Sequence, residues 1–539
     1  MGTMLLAFTG MGLAQSTTPT QKTTPSNQQS TQPTSGQPTP PLTGNPVHVC
    51  PAPPGRDMAR CHAIRLDNPK KVASSSRGTG TANPSAGSGP GGGFAPSDLQ
   101  TAYKLTSSSS TNGTGQTIAI VDAYDDPNAQ SDLGVYRSQF GLPPMDGQNG
   151  HPTFTKVNQN GSTTGPWPRG DGGWAQEISL DLDMASAICP NCNILLVEAN
   201  SNSYTDLGAA VNEAATLGAG AISNSYGGGE FSGETSYEAP YNHPGIAVTV
   251  SSGDSGYGVE FPASSRYVTA VGGTSLYVDS AFNRSSEAVW SGAGSGCSAY
   301  ILKPSWQTDS GCSNRTVADV AAVANPNTGV SVYDTYSDKY GSGIGWMVFG
   351  GTSVASPIIA SVYALAGNTS SINGGSFPYS HTNDGTLFDV TSGSNGTCSP
   401  GYLCTGGPSY DGPTGLGTPN GTGAFGSGTQ QHSVYGAYPY PGTYYSSCSC
   451  YVTPAKSQSV YAYGEEVPSN AGHTTRLDYY YSTDGSKYNF VMSQQAPNSD
   501  KGSYSLFFSQ VKLPNAGYWK VVAVDPDSGS QDSKLWYAY

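Results

Sequence analysis

The sequence predicts a parallel α/β sheet covered by helices on both faces, followed by a smaller all-β, sandwich-like domain. Three observations predict it. Between residues 95 and 428, near-continuous apolar runs alternate with helical stretches, the pattern of strands buried on both faces. From about residue 432 the pattern changes to period-two alternation with turn dipeptides. The 539 residues are also too many for one hydrophobic core.

Taken in order, residues 1–15 hold a short apolar stretch, Met4 to Ala14, that ends in small residues as a secretory signal does. Residues 16–47 are mostly Thr, Pro, Ser and Gln and are expected to be disordered. Residues 48–71 form a short segment with the first Cys pair, and 72–94 read as a Gly/Ser linker. Ordered sequence then begins near Asp98. Thr117–Asp122, Asn193–Glu198, Ala221–Tyr226, Ile246–Val250 and Tyr267–Val271 read as strands; Trp174–Ile188 and Tyr204–Leu217 read as helices. Ligands of such sheets sit beyond the carboxyl ends of the strands, so the residues that follow strands are the ones to watch. In the domain 432–539, Leu477, Tyr479 and Tyr481 alternate, Asp484-Gly485 offers a hairpin turn, and 503–508 and 518–523 read as further strands. Its aromatic residues suit core packing more than binding.

Composition excludes several classes. No apolar run reaches eighteen residues, so no membrane helix is expected, and no basic patch suggests nucleic acid. Only 11% of residues are charged and the formal net charge is −14. A chain with few ionisable groups changes its charge little as pH falls, which suits acidic surroundings. The ten Cys fall in an order that suggests the local pairs Cys50/Cys61, Cys297/Cys312 and Cys398/Cys404. Cys189-Pro-Asn-Cys192 reads as a structural disulfide rather than a redox motif, and Cys448 and Cys450 are left open. A secreted, extracellular monomer is expected.

The strongest chemical signal is Phe349-Gly-Gly-Thr-Ser-Val-Ala-Ser-Pro357, small residues running into a helix that ends near Ala366. It sets Ser353 at the helix start, where its N–H is unpaired and the dipole favours negative charge; Pro357 is placed in the first turn. That suits a nucleophilic Ser beside an oxyanion donor, and equally an ordinary N-cap. The seven His offer no persuasive base: His48, His62, His432 and His473 fall outside the α/β region, and His243 and His381 fall in loops. Carboxylates are better placed. Glu177 and Asp181 stand four apart on one helix face, flanked by Trp174, Leu180 and Leu182, with Asp183 rotated away. Like charges at that spacing push one pKa upward; a solvated acidic helix end is the plain alternative. Asp254, in Ser251-Ser-Gly-Asp-Ser-Gly256, follows an apolar strand and is either functional or a turn cap.

Glu-x-x-x-Asp, Ser-Gly-Asp-Ser-Gly and Gly-Thr-Ser-x-x-x-Pro, in that order, resemble the sedolisins, the serine-carboxyl peptidases, over about residues 95–425. Phe261-Pro-Ala-Ser-Ser, Val271-Gly-Gly-Thr-Ser, Pro304-Ser-Trp-Gln and Ala318-Asp-Val-Ala-Ala fit the same pattern. The resemblance implies a subtilisin-like fold and an endopeptidase acting at acidic pH on proteins or peptides. By motif position Glu177 would be the base for Ser353, Asp181 would hold and tune Glu177, and Asp254 would be the oxyanion-hole acid. Ser225, Tyr226 and Gly227 would bind extended substrate as an added strand, although Tyr226 stands where the family has Trp. Asp122 would extend the acid network or serve as a strand-end acid. One structural calcium ion is implied, held by Asp389, Val390, Gly407, Ser409 and Asp411; carboxylates and carbonyls suit a hard cation. The family's long folded propeptide has only residues 48–71 to stand for it here. Two other readings are a silent protease-like fold that binds through its β domain, and a Ser-His-Asp hydrolase using His151 with Asp122.

Overall fold

The computed structural model describes residues 41–72, 86–336, 344–382, 384–426, 433–446, 449–453, 459–467, 474–501, 505–524 and 531–539. The signal-like segment and most of the Thr/Pro/Ser/Gln-rich segment lie outside these residues. The part of the latter that is described corrects the expectation of disorder: Leu42–His48 is a strand, β1. It pairs antiparallel with β3 (Ile64–Lys71), and between them lies the two-residue strand β2 (Arg60–Cys61). Polar composition conceals this order because it comes from pairing, with Leu42 and Leu66 buried against Val348.

The central sheet is built from runs of β-branched and apolar residues. In spatial order it holds β12 (Arg284–Val289), β11 (Thr269–Val278), β9 (Ala247–Ser251), β7 (Ala221–Asn224), β4 (Thr117–Ala123), β6 (Asn193–Ala199) and β5 (Phe154–Asn158). An eighth strand, Val320–Val323, pairs parallel with β11. Only β12 runs antiparallel. β4, at the centre, is buried from Ile118 to Ala123. Two large apolar clusters cover the two faces, as a parallel sheet requires. Helices Gly172–Ile188 and Thr352–Ala366 pack against each other, and the second also packs on β7, β9 and β11. Among the described residues no helix is long and apolar enough to cross a membrane.

Beyond β7 the chain forms β8 (Tyr226–Gly229), which pairs with β10 (Glu260–Phe261) on one side and with β2 on the other. The expected linker is ordered from residue 86 onward: Ser88 donates through its N–H and Oγ to Asp98 at 2.7 and 2.9 Å. The four disulfides described in full are Cys50–Cys61, Cys189–Cys192, Cys297–Cys312 and Cys398–Cys404. Cys450 is also disulfide-bonded, whereas Cys448 lies outside the described residues.

The C-terminal region is all-β, but its strands form one continuous nine-stranded sheet rather than two separate ones. The twelve-residue strand Asn489–Asp500 belongs to both halves and joins them. Trp519, Trp536, Tyr479 and Phe507 fill the core between the halves, so the largest aromatics serve packing.

Candidate active site

Helix Gly172–Ile188 starts where Asp171 accepts the N–H groups of Gly173 and Trp174 at 3.1 and 3.2 Å, satisfying two orphan donors. The helix is buried almost throughout, so Glu177 and Asp181 are not on a solvated helix end. They share one face, and Asp122 at the end of β4 completes a group of three carboxyls. Asp183 points elsewhere, accepting the Tyr333 N–H at 2.9 Å. Burial raises Glu177 and Asp181 well above the ordinary carboxyl range, and their mutual repulsion with Asp122 adds to it. Burial brings Asp122 itself up to about 8. Neither oxygen of Asp122 has a hydrogen-bond partner among the described residues, nor has Glu177 Oε1, while the Ser225 hydroxyl and the Glu177 carboxyl stand beside Asp181. The Ser353 hydroxyl and the Ala63 N–H, the latter at 2.7 Å from Glu177 Oε2, favour the Glu177 anion.

Ser353 is the second residue of helix Thr352–Ala366. Gly351 caps the helix at φ 94°, a conformation that suits glycine. Pro357 lies in the second turn, not the first, because the helix begins at Thr352. It therefore removes the N–H that would bond the Ser353 carbonyl, and the Ser225 hydroxyl reaches that oxygen at 3.5 Å. Ser353 Oγ in turn lies 3.3 Å from the Ser225 carbonyl. Asp254 follows β9 and accepts the Thr352 N–H and hydroxyl on Oδ1 at 2.8 and 2.9 Å. Its Oδ2 has no partner among the described residues, and burial lifts the carboxyl to about 6.

His62, set aside from its sequence position, is fully buried in this site. Its N–H donates to the Ser225 carbonyl at 3.1 Å, continuing the pairing of β2 with β8. Its ring nitrogens face Ser251 Oγ at 2.7 Å and Glu260 Oε2 at 2.9 Å, so neither is directed at Ser353. The placement arises from tertiary pairing; the one local clue was the disulfide beside it. His151 pairs with Asp146 at 2.8 Å on the surface, which removes the reading that joined it to Asp122. Tyr226 and Gly227 pair with Cys61 and Arg60, and the Tyr226 hydroxyl donates to Asn224 Oδ1 at 2.8 Å.

Asp389 and Asp411 are brought close enough to repel: burial, then the Asp389 charge among weaker effects, raises Asp411 to about 7. The Ser409 N–H donates to Asp389 at 2.8 Å, with Ser409 at φ 68°. Two adjacent carboxyls without a cationic side chain between them fit a hard cation. The described residues contain no cluster of three or more His, Cys, Asp or Glu suited to a metal, so carbonyls would supply the other ligands.

A buried Ser at the start of a helix packed on a parallel sheet accords with a subtilisin-like domain. The Subtilase family model matches residues 162–372. Kumamolisin of Bacillus sp. (strain MN-32) is 31% identical over 375 residues, 61% of this chain and 62% of that protein. Sedolisin of Pseudomonas sp. (strain 101) is 29% identical over 370 residues, 60% of each. The solved Pseudomonas sedolisin, described as a serine-carboxyl proteinase in complex with pseudo-iodotyrostatin, aligns with a TM-score of 0.51 at 29% identity, covering 63% of this chain and 96% of that one. The chain spans about three-fifths of the length of these curated relatives. The sedolisin family is the one that these matches support.

Proposed function

We propose that this chain is a secreted serine-carboxyl endopeptidase that cleaves proteins or peptides under acidic conditions. The observation that carries the reading is that Ser353 faces buried carboxyls while both His62 ring nitrogens are engaged elsewhere. Ser353 Oγ attacks the substrate carbonyl and Glu177 takes its proton. Among the three carboxyls Glu177 has the most donors, the Ser353 hydroxyl and the Ala63 N–H, so ionisation costs least there. Asp181 and Asp122 position and tune it. The tetrahedral oxyanion forms between the Ser353 N–H and Asp254. A carboxyl donates only while protonated, and burial keeps Asp254 protonated up to about pH 6. Ser225, Tyr226 and Gly227 hold the substrate backbone as an added strand. A calcium ion at Asp389, Val390, Gly407, Ser409 and Asp411 would neutralise the paired carboxyls and tie two loops together. The test is hydrolysis of denatured protein from about pH 3 to 8, with Ser353→Ala and Glu177→Gln alongside. Activity surviving Ser353→Ala refutes the reading.

A further inference from the structure

Residues 60–65 lie across the site as an extended strap. Arg60 and Cys61 pair antiparallel with Gly227 and Tyr226. Beyond the site, Ile64 and Arg65 pair with Gly350 and Phe349. The peptide bond between these two ladders is His62–Ala63. Its nitrogen donates to Glu177 Oε2 at 2.7 Å. Its carbonyl oxygen passes over Gly351, where a Cβ would stand 1.8 Å from it and 2.8 Å from Asp254 Oδ2. The group to be attacked, the base and the oxyanion acid therefore meet at one peptide bond.

The His62 ring enters a pocket of its own, closed by Ser251 at 2.7 Å and Glu260 at 2.9 Å. Gly227 forms its wall: a Cβ there would stand 2.9 Å from His62 Cε1 and 3.1 Å from Glu260 Oε2. Burial alone would raise Glu260, but the His62 ring, with Arg60 and His48, outweighs it and holds the carboxyl below its ordinary value. A side chain with nothing to donate would leave this carboxylate unpaired, which is how a polar pocket rejects an apolar residue.

Resting on the reading of Ser353 as nucleophile, we propose that Glu260 and Ser251 form a specificity pocket that selects histidine ahead of the bond cleaved, with His62–Ala63 as the chain's own substrate. Ser353 Oγ adds to the His62 carbonyl carbon and its proton passes to Glu177. Collapse breaks the bond to Ala63 N, which takes that proton and leaves as an amine. Water then hydrolyses the Ser353 ester, freeing the His62 carboxyl and restoring the hydroxyl.

The full-length chain is incubated at about pH 4 and followed by intact mass and N-terminal sequencing. A new N-terminus at Ala63 is expected, and none in Ser353→Ala. Cys50 and Cys61 both precede the bond, so the pieces separate without reductant. The processed enzyme is then given peptides that differ only in having His or Leu before the cleaved bond. His is expected to be preferred at least about tenfold in kcat/KM, and Glu260→Gln to lower that ratio about tenfold or more. A first new N-terminus anywhere else, or a ratio unchanged by Glu260→Gln, overturns the proposal. A chain that digests denatured casein but leaves its own strap intact overturns the proposal alone. A chain inert toward both overturns the nucleophile reading and the proposal with it.

Discussion

Two buried aspartate sites on one sheet contrast sharply. Asp319 is fully buried and fully answered: Arg315 pairs with it, the Ala270 N–H donates to it at 2.7 Å and the Tyr379 hydroxyl at 2.9 Å. Asp122 and Asp181 are as deeply buried; neither oxygen of Asp122 has a hydrogen-bond partner among the described residues, and Asp181 has only the Ser225 hydroxyl and the Glu177 carboxyl beside it. A buried charge with every lone pair satisfied is explained by architecture. A buried carboxyl left unanswered costs stability, and such costs concentrate where chemistry needs a perturbed pKa. Both sites belong to motifs of the same family resemblance, so the motif alone does not tell the structural acid from the functional one.

The sharpest way to break this distinction is at Ser353. Ser353→Ala is expected to lower kcat about 10³-fold or more while moving the unfolding free energy by under about 1 kcal/mol. Glu177→Gln should lose activity on a similar scale and be no less stable than the parent at neutral pH, since it removes a carboxyl that burial opposes. Denaturant titration beside the kinetics checks both. Asp319→Ala should do the reverse. Removing one partner of a buried pair leaves Arg315 uncompensated, at about 3–5 kcal/mol of stability. Full stability in Asp319→Ala would end the comparison.

Protons give the next test. Asp122, Asp334 and Glu198 are lifted by burial to about 8, about 8 and about 9, and Asp126 to about 7. In the unfolded chain these groups release their protons near ~4. Between those limits the folded state binds more protons, so raising pH favours unfolding. Their contribution is full below ~pH 4 and is lost as pH climbs through the folded values. Melting temperature should therefore fall from acid toward neutral pH; a rise over that interval would show that the raised values are wrong. Asp254→Asn sharpens the same point in activity. Asn donates at every pH but more weakly than a carboxylic acid, so the variant should lose at most about 10²-fold in kcat and lack the decline that begins near the parent's Asp254 value of about 6.

Much of this was legible in the sequence because it is local. The apolar strands, the i,i+4 spacing of Glu177 and Asp181, and the small residues leading to Ser353 each specify their own geometry. What stayed hidden is long-range. Leu42–His48 looks like low-complexity tail until it is paired with Ile64–Lys71. His62 looks peripheral until β2 is laid along β8. The second-turn position of Pro357 depends on where the helix starts, which Gly351 decides through a backbone conformation that the sequence does not display.

The smallest effect is expected at Asp389 and Asp411, which stand between the two classes of acid. Asp411 accepts the Thr414 N–H and hydroxyl at 3.0 and 2.8 Å, as a structural acid does. Burial and the Asp389 charge nonetheless raise it to about 7, as at a functional one. A bound cation would resolve the contradiction by answering both charges at once. Calcium at a hundredfold excess over its Kd should then add about 2.7 kcal/mol to the unfolding free energy. A chelator should remove the gain, and Asp389→Ala should abolish the response to calcium without touching the Ser353 chemistry. If calcium leaves the melting temperature of the parent unchanged, the two acids are a repulsive pair held by the loops around them, and they join Asp319 on the architectural side.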